Sequence, residues 1–467
     1  MLSKYRDIVP DFGMRYESNE TWSDAESRVK ENLSAINELL EPYHAEIKAI
    51  ADRVLQEENS NPTHIEINRT VLNAYNPDFF DRLKAFPSVH TVFFQQDVEE
   101  MKKILVPRYY EYSSNDCDLI MSHSGYDNKT NMMFDNWCYS NNSVYFEGHE
   151  LLEKNLRVGL PFNFKHEPGH ETFTFMHVIH NAVVTGNGDV ITGNLTLIPQ
   201  RCRQDHRGNI PSKPNELDQL DEVFAVHQYW DTGFYHATLE GSPRLAPYVK
   251  FLNDNPQIKI NFKSKNHIQQ FYGINNLEER RITRQSFRAK VLYSPQGGSC
   301  GRSILFPTQL LSLYARKDLK NDRLNRNKIV LIRRSSKRMF KKHDEIAAML
   351  KKEADDYGLE LFVFRDDPVP DLETTRKMFN EAMIIVAPHG AGESNIIYSQ
   401  PGTVLFEGLC WEVPRRVILC YRNAAQTLGL RYFGLFYSKN CLRVTADDVR
   451  KSLTIFLENL DTFRSSV

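Results

Sequence analysis

Apolar side chains return every three or four positions through residues 21–58, TWSDAESRVKENLSAINELLEPYHAEIKAIADRVLQEE, which is the spacing of a helix with one buried face. Pro42 interrupts that run, so the pattern predicts two helices meeting there, since a proline inside a helix removes a hydrogen bond and crowds the preceding turn. Their charged outer faces fit amphipathic packing helices, with a calmodulin-type or membrane-surface helix as the competing reading. Between about 60 and 220 the pattern changes to short β-forming runs, VYFEG, TFTFMHVIHNAVVT and LTLIPQ, with the turn GNGDVITGN between the last two. His177 and His180, three apart in such a strand, point to opposite faces and so read as ordinary strand histidines rather than a metal pair.

From about 222 the texture becomes α/β. EVFAVHQYW, QIKINF, AKVLYSP, NKIVLIRRS, LELFVFRDD, MIIVAP, TVLFEGL and RVILCY read as strands. GFYHATLEGSPRLAPYVKFLN, HDEIAAMLKKEADDYG, DLETTRKMFNEA, the short GESNIIYSQPG and the capped TADDVRKSLTIFLENLDTF read as helices. Strands alternating with helices at these intervals predict βαβ units around a parallel sheet.

Composition narrows the picture. A chain of 467 residues exceeds what one hydrophobic core usually serves, so two domains are expected. With 58 basic and 60 acidic residues the formal charge is -2, which argues against a protein built around the nucleic-acid backbone. The sequence holds no apolar run of about 18 residues and no visible signal peptide. Six N-x-S/T sequons begin at Asn19, Asn32, Asn68, Asn128, Asn141 and Asn194, by chance or as glycan acceptors. The seven cysteines include no C-x-x-C pair, so a zinc site is not expected.

Candidate chemistry lies in three places. In VAPHGAGESNII, Pro388-His389-Gly390-Ala391-Gly392 joins a strand to a helix, where backbone N–H groups point toward an anion. Gly390 and Gly392 allow close approach and positive φ. His389 can donate to a phosphate oxygen. In LIRRSSKRMFKK, Arg333, Arg334 and Arg338 follow a strand end and suit bidentate phosphate contact, whereas Lys341 and Lys342 read as solvated surface. In GFYHATLEGSPRL, His236 and Glu240 fall at i and i+4 on one helix face, either as a base assembly or as a hydrogen bond that only stabilises the helix, and Arg244 extends the stripe. No D-x-D, P-loop or G-x-G-x-x-G occurs, and GESNI departs from a nucleophile elbow at Asn395.

Together HNAVVTGNGDVI, FYHATLEGSPRL, VLYSPQGGSCGRS, VLIRRSSKRMFKKHDEI and VAPHGAGESNIIYSQPGTVLFE, spanning about 180 to 440, resemble the family-61 glycosyltransferases. That resemblance implies a GT-B architecture: two Rossmann-like α/β domains facing a cleft, here with an N-terminal helical/β extension. It implies 1–60 as that extension, 61–318 as the acceptor-side domain, 319–440 as the nucleotide-sugar domain, and 441–467 as a helix packing back across both. It further implies inverting, metal-independent transfer of xylose, GlcNAc or a related sugar from a UDP-sugar to a hydroxyl of a glycan or glycoprotein, with no cofactor beyond the donor. Carried over by position, Glu240 and His236 are the catalytic pair. Arg333, Arg334, Arg338, His389, Gly390, Ala391 and Gly392 bind the diphosphate, and Glu407 binds the ribose. A catalytically silent nucleotide-sugar or glycan binder on the same scaffold is the alternative. The resemblance places the protein in the Golgi or ER lumen; the absence of a visible signal or anchor leaves the cytoplasm as the alternative. Glu393 stands where the family usually has an apolar residue, and Lys341 and Lys342 stand about where many members have Asn. A carboxylate beside a diphosphate repels it unless it turns away or caps the helix.

Overall fold

A computed structural model describes residues 22–58, 70–74, 78–95, 132–135, 173–199, 211–226, 228–262, 272–283, 286–298, 301, 303–319, 326–409, 411–412, 416–417, 420–436 and 444–458. The run VYFEG, six of the seven cysteines (117, 138, 202, 300, 410 and 441) and the sequons at Asn19, Asn68, Asn128 and Asn141 lie outside them. The fold is mixed α/β with parallel strands in both of its larger sheets. The chain divides into two compact units: Glu31–Met101 with Gly169–Tyr314, called here the first, and Met1–Lys30, Lys102–Pro168 and Ala315–Val467, the second.

In the first unit the strands run in the order Thr70–Asn73, Leu195–Ile198, Val190–Thr192, Phe173–Val184, Phe287–Pro295, Gln219–Ala225, Lys259–Asn261 and Arg281–Ile282, with Val89–Gln95 also paired to Phe173–Val184. The long strand Phe173–Val184 is antiparallel to Phe287–Pro295, after which the pairing is parallel to the edge. This unit is therefore a mixed sheet with a parallel half.

The N-terminal helix corrects the prediction at Pro42. One helix runs Trp22–Glu58 with the proline inside it. A helix-interior proline costs about 3 kcal/mol, yet Leu33, Ile36, Leu40, Ile47, Ile50 and Val54 on either side of it are all buried. Six such side chains, at roughly 1.5 kcal/mol or more each, outweigh the missing hydrogen bond. The face is also pinned: the His44 ring bonds the Pro247 carbonyl at 2.9 Å, and Tyr43 meets Phe94 edge-on at 4.8 Å.

The second unit holds the sheet that positions the loops of interest. Its order is Glu360–Arg365, Lys328–Arg333, Ala382–Pro388, Val404–Leu409, Arg431–Phe436 and Met132–Asp135, parallel except for the last pairing. Taking the parallel strands in chain order, their spatial order is 2-1-3-4-5, which reverses direction between Lys328–Arg333 and Ala382–Pro388. One face packs on Ile346, Leu350 and Ala354 of the helix His343–Asp356, and on Val449, Leu453 and Phe456 of the helix Ala446–Leu457. RVILCY is not one strand: Arg416–Val417 pairs with Trp411–Glu412, and Cys420–Thr427 is a helix. The polar side chains after Cys420 alternate with Tyr421, Ala424 and Ala425 at helical spacing, and those three are buried. The strand Arg431–Phe436 was not anticipated. Among the described residues no helix is long and apolar enough to cross a membrane.

Candidate active site

The first unit contributes a histidine–carboxylate pair. His236 and Glu240 sit in a π-helical turn, His236–Gly241, closed by the Ser242 N–H bonding back five residues to the Ala237 carbonyl. Such turns are rare in proteins and often mark functional positions. His236 Nδ1 lies 2.7 Å from Glu240 Oε2. The Glu240 side chain is wholly buried, while that of His236 is 25 % exposed, so the imidazole is the member of the pair that meets solvent. Glu240 is held on all sides: Gln228 Nε2 donates to Oε2 at 3.1 Å and the Gly301 N–H donates to Oε1 at 2.8 Å. Gly301 has φ 77°, a left-handed conformation that glycine adopts without strain, and this turn aims its N–H at the carboxylate. A buried carboxylate needs this number of donors if it is to remain charged. Arg244 does not extend a polar stripe. It is buried and donates to the Val226 and Pro295 carbonyls at 3.0 and 2.9 Å, tying together the ends of two adjacent parallel strands.

In the second unit three adjacent strand ends converge. Arg334, just past Lys328–Arg333, donates through Nη1 to the His389 carbonyl at 2.7 Å. His389, just past Ala382–Pro388, donates its backbone N–H to the Gly408 carbonyl at 3.0 Å. Its Nδ1 bonds Glu407 Oε1 on the neighbouring strand Val404–Leu409. Glu407 is fully buried, and its other oxygen accepts from the Tyr432 hydroxyl at 2.6 Å. Both Glu407 oxygens are thus engaged within the protein, and the carboxylate holds His389 rather than facing solvent. Tyr421 packs edge-on against the same imidazole at 5.4 Å.

The two loop glycines act through space rather than through positive φ. Gly390 is extended, φ 164° and ψ 175°, and a Cβ there would lie 1.8 Å from Arg334 Nη1. The missing side chain is what lets the guanidinium cross the loop. At Gly392 a Cβ would meet Ile332 Cγ2 at 3.1 Å, so the loop also lies close on the sheet. The 3₁₀ helix Ala391–Tyr398 then begins, leaving its first N–H groups without partners inside the helix.

Glu393 is wholly buried and turns back to accept the Gly390 N–H at 2.8 Å, half of a capping box. Burial, reinforced by the nearby Glu407 carboxylate, pushes its pKa well above the ordinary range, while Arg334 and Arg338 pull weakly the other way. Glu393 thus caps the loop, and its burial favours the protonated carboxyl over the carboxylate. Arg338 is close enough to act on Glu393 and has φ 62°, in the left-handed region that residues other than glycine seldom adopt. Arg333, by contrast, pairs with Asp344 at 3.2 Å on the surface, and Lys342 pairs with Glu345 at 2.9 Å.

His389, Glu393 and Glu407 bring one ligand atom each to within 4.8 Å of one another, close enough to hold a metal ion. Glu407 is already satisfied within the protein, whereas Glu393 Oε1 is buried with no hydrogen-bond partner. Sequence reasoning named His389 and Glu407 separately without linking them, and it passed over Tyr432, Gln228 and the role of Gly301.

No curated protein matches the chain closely enough to count as a relative. The stretch that supplies His236, Glu240, the three arginines and the His389–Gly392 loop, residues 234–406, matches the family model described as Glycosyltransferase 61, which ends one residue short of Glu407.

Proposed function

We propose that the protein is an inverting, metal-independent glycosyltransferase that moves xylose, GlcNAc or a related sugar from a UDP-sugar to a hydroxyl of a glycan or glycoprotein. The observation that carries this reading is the second unit's strand order. In open parallel sheets, ligands bind beyond the carboxyl ends of the strands where the order reverses. Arg334 and the His389–Gly392 loop stand at those two strand ends. Guanidinium groups at Arg334 and Arg338, with the N–H groups opening the helix at Ala391, suit the two negative charges of a departing UDP. His389, locked by Glu407 through Nδ1, donates to the same group through Nε2 only as an imidazolium. Glu407 has no oxygen to spare for a ribose, so its role in this reading is to fix His389.

The acceptor side falls to His236. With its Nδ1 proton directed at Glu240, the other ring nitrogen, Nε2, is the basic one, which is the logic of a carboxylate-oriented general base. Nε2 takes the proton of the acceptor hydroxyl, that oxygen bonds to the anomeric carbon from the face opposite UDP, and the bond to the β-phosphate oxygen breaks. The electron pair leaves on UDP, where the arginines and helix N–H groups stabilise it. Acceptor activation and donor binding then draw on residues of different units.

Glu393 caps the loop and its burial disfavours a charge there, which weakens the sign favouring a silent binding protein. The deciding experiment is a thermal-shift and UDP-release panel of UDP-sugars, since a bound donor adds RT ln(1 + [L]/Kd) to stability. A UDP-sugar that both stabilises the protein and is turned over supports the proposal. No stabilisation by UDP or any UDP-sugar would sink it, and stabilisation without turnover would leave a binding protein.

A further inference from the structure

Resting on the reading of His236 as the acceptor base, we propose that Trp230 and Phe234 form an aromatic platform on which a pyranose ring of the acceptor lies. Trp230 is 45 % exposed and Phe234 41 % exposed, two of only a few large apolar side chains among the described residues that are left in water. Both sit within six residues of His236. The Trp230 and His236 rings are near-parallel, 25° apart, with centroids separated by 6.2 Å. In this proposal a ring resting on the open indole face presents its hydroxyl edge toward the imidazole. Pyranoses suit this arrangement, because one face presents C–H groups to an aromatic π surface while the hydroxyls around the edge remain available for hydrogen bonding. An aromatic side chain also loses little conformational entropy when it binds.

The platform is built into the same anchor as the base. Gln228, which is buried, donates through Nε2 both to Glu240 and, at 3.1 Å, to the His236 carbonyl. The turn that follows is closed by the Asp231 N–H on the Gln228 carbonyl at 3.3 Å and by the Gly233 N–H on the Trp230 carbonyl at 2.9 Å. Tyr229 braces the indole edge-on at 4.6 Å, and Tyr235 braces His236 in the same manner at 5.1 Å. A surface tryptophan without a ligand has no need of such fixation. Here the indole is held at a set distance from the base, which a stacked sugar requires if one particular hydroxyl is to react.

The test compares wild type with Trp230→Ala, Trp230→Phe and Phe234→Ala in the full chain, using the UDP-sugar that the panel identifies and methyl β-xylopyranoside, methyl α-mannopyranoside or glycerol as acceptors. Trp230→Ala is expected to raise KM for the pyranosides about tenfold, with KM for the UDP-sugar moving less than twofold and Trp230→Phe recovering most of the loss. Glycerol, which has no ring, should show no such change. Equal losses toward pyranosides and glycerol, or an unchanged pyranoside KM, would overturn the platform. If wild type turns over no UDP-sugar, the enzymatic reading fails on its own, and the platform is then judged by intrinsic fluorescence titration with xylobiose, mannobiose and chitobiose. Quenching that disappears in Trp230→Ala sustains it, and the absence of quenching by all three removes it.

Discussion

The two histidine–carboxylate pairs use the same chemistry at opposite ranges. His236 and Glu240 are four residues apart in one helical turn, and the imidazole is partly in water. His389 and Glu407 are eighteen apart on neighbouring strands, and both are buried. The difference teaches what each is suited to. A histidine that must exchange a proton with a substrate needs an open face, while one that only has to present a donor at a fixed angle gains from being sealed. The carboxylates differ in the same way: Glu240 is satisfied by an amide and a backbone N–H, whereas Glu407 takes the hydroxyl of Tyr432.

That contrast can be broken most severely at the exposed pair. Glu240→Gln, which unsettles the His236 tautomer, is expected to lower glycosyl transfer about 10²-fold or more while leaving the thermal shift with UDP intact. Single-turnover transfer assays beside UDP titrations would show whether the two effects separate. Next in size is Arg334→Ala, expected to cost about 10²-fold in turnover through loss of a preorganised donor and to weaken the UDP-induced shift as well. Gly390→Ala should imitate it, because the new methyl group occupies the place of the Arg334 guanidinium. A Gly390→Ala protein with unchanged turnover would mean that the guanidinium does not matter where it stands. Glu407→Gln, at the sealed pair, should lower turnover by about tenfold and Tyr432→Phe by less, since each loosens His389 without removing it.

The smallest effects concern stability, and their sign depends on whether the buried group is an acid or a base. In the second unit Glu393 has a raised pKa, so the folded state holds its proton more tightly than the unfolded chain does. That contribution is complete below the ordinary carboxylate range and is lost as pH rises through the folded value. Glu393→Gln, which keeps an acceptor for the Gly390 N–H and carries no charge, should flatten the alkaline fall in Tm. In the first unit burial lowers the pKa of His44 and His180 to about 4 and that of His177 to about 3. Their contribution is complete above the unfolded value of 6.5 and declines as pH falls toward those numbers. Asp189, pushed up to about 7 by burial, acts in the alkaline direction in that unit. Tm measured from pH 4 to 9 for wild type and Glu393→Gln should differ only on the alkaline side; a difference confined to the acid side would contradict the burial assignment.

Local chemistry was legible in the sequence and long-range pairing was not. The spacing of His236 and Glu240 states their contact, because a helical turn fixes it. The strand-loop-helix order around His389 was equally plain, as were the arginines after Arg333 and most of the second unit's strands. What the pattern could not supply is which strand lies beside which, and that is what joins Glu407 to His389 and brings Arg334 onto the loop. Pro42 misled for a related reason: a local rule about proline gave way to a buried face extending on both sides of it. Glu393 misled in the opposite direction, since it turns back to cap the loop and its burial disfavours a charge.

The π-helical turn at His236–Gly241 carries one residue more per turn than an α-helix would, which makes the acceptor pair sensitive to insertion rather than to substitution alone. Each residue removed or added in a helix turns everything beyond it by about 100°. A one-residue insertion between His236 and Glu240 would set them five apart in ordinary helix and carry the carboxylate away from the imidazole, whereas a deletion leaves them at i and i+3, still neighbours. Insertion within this stretch therefore divides chains able to form the pair from chains that are not, even where both residues are retained.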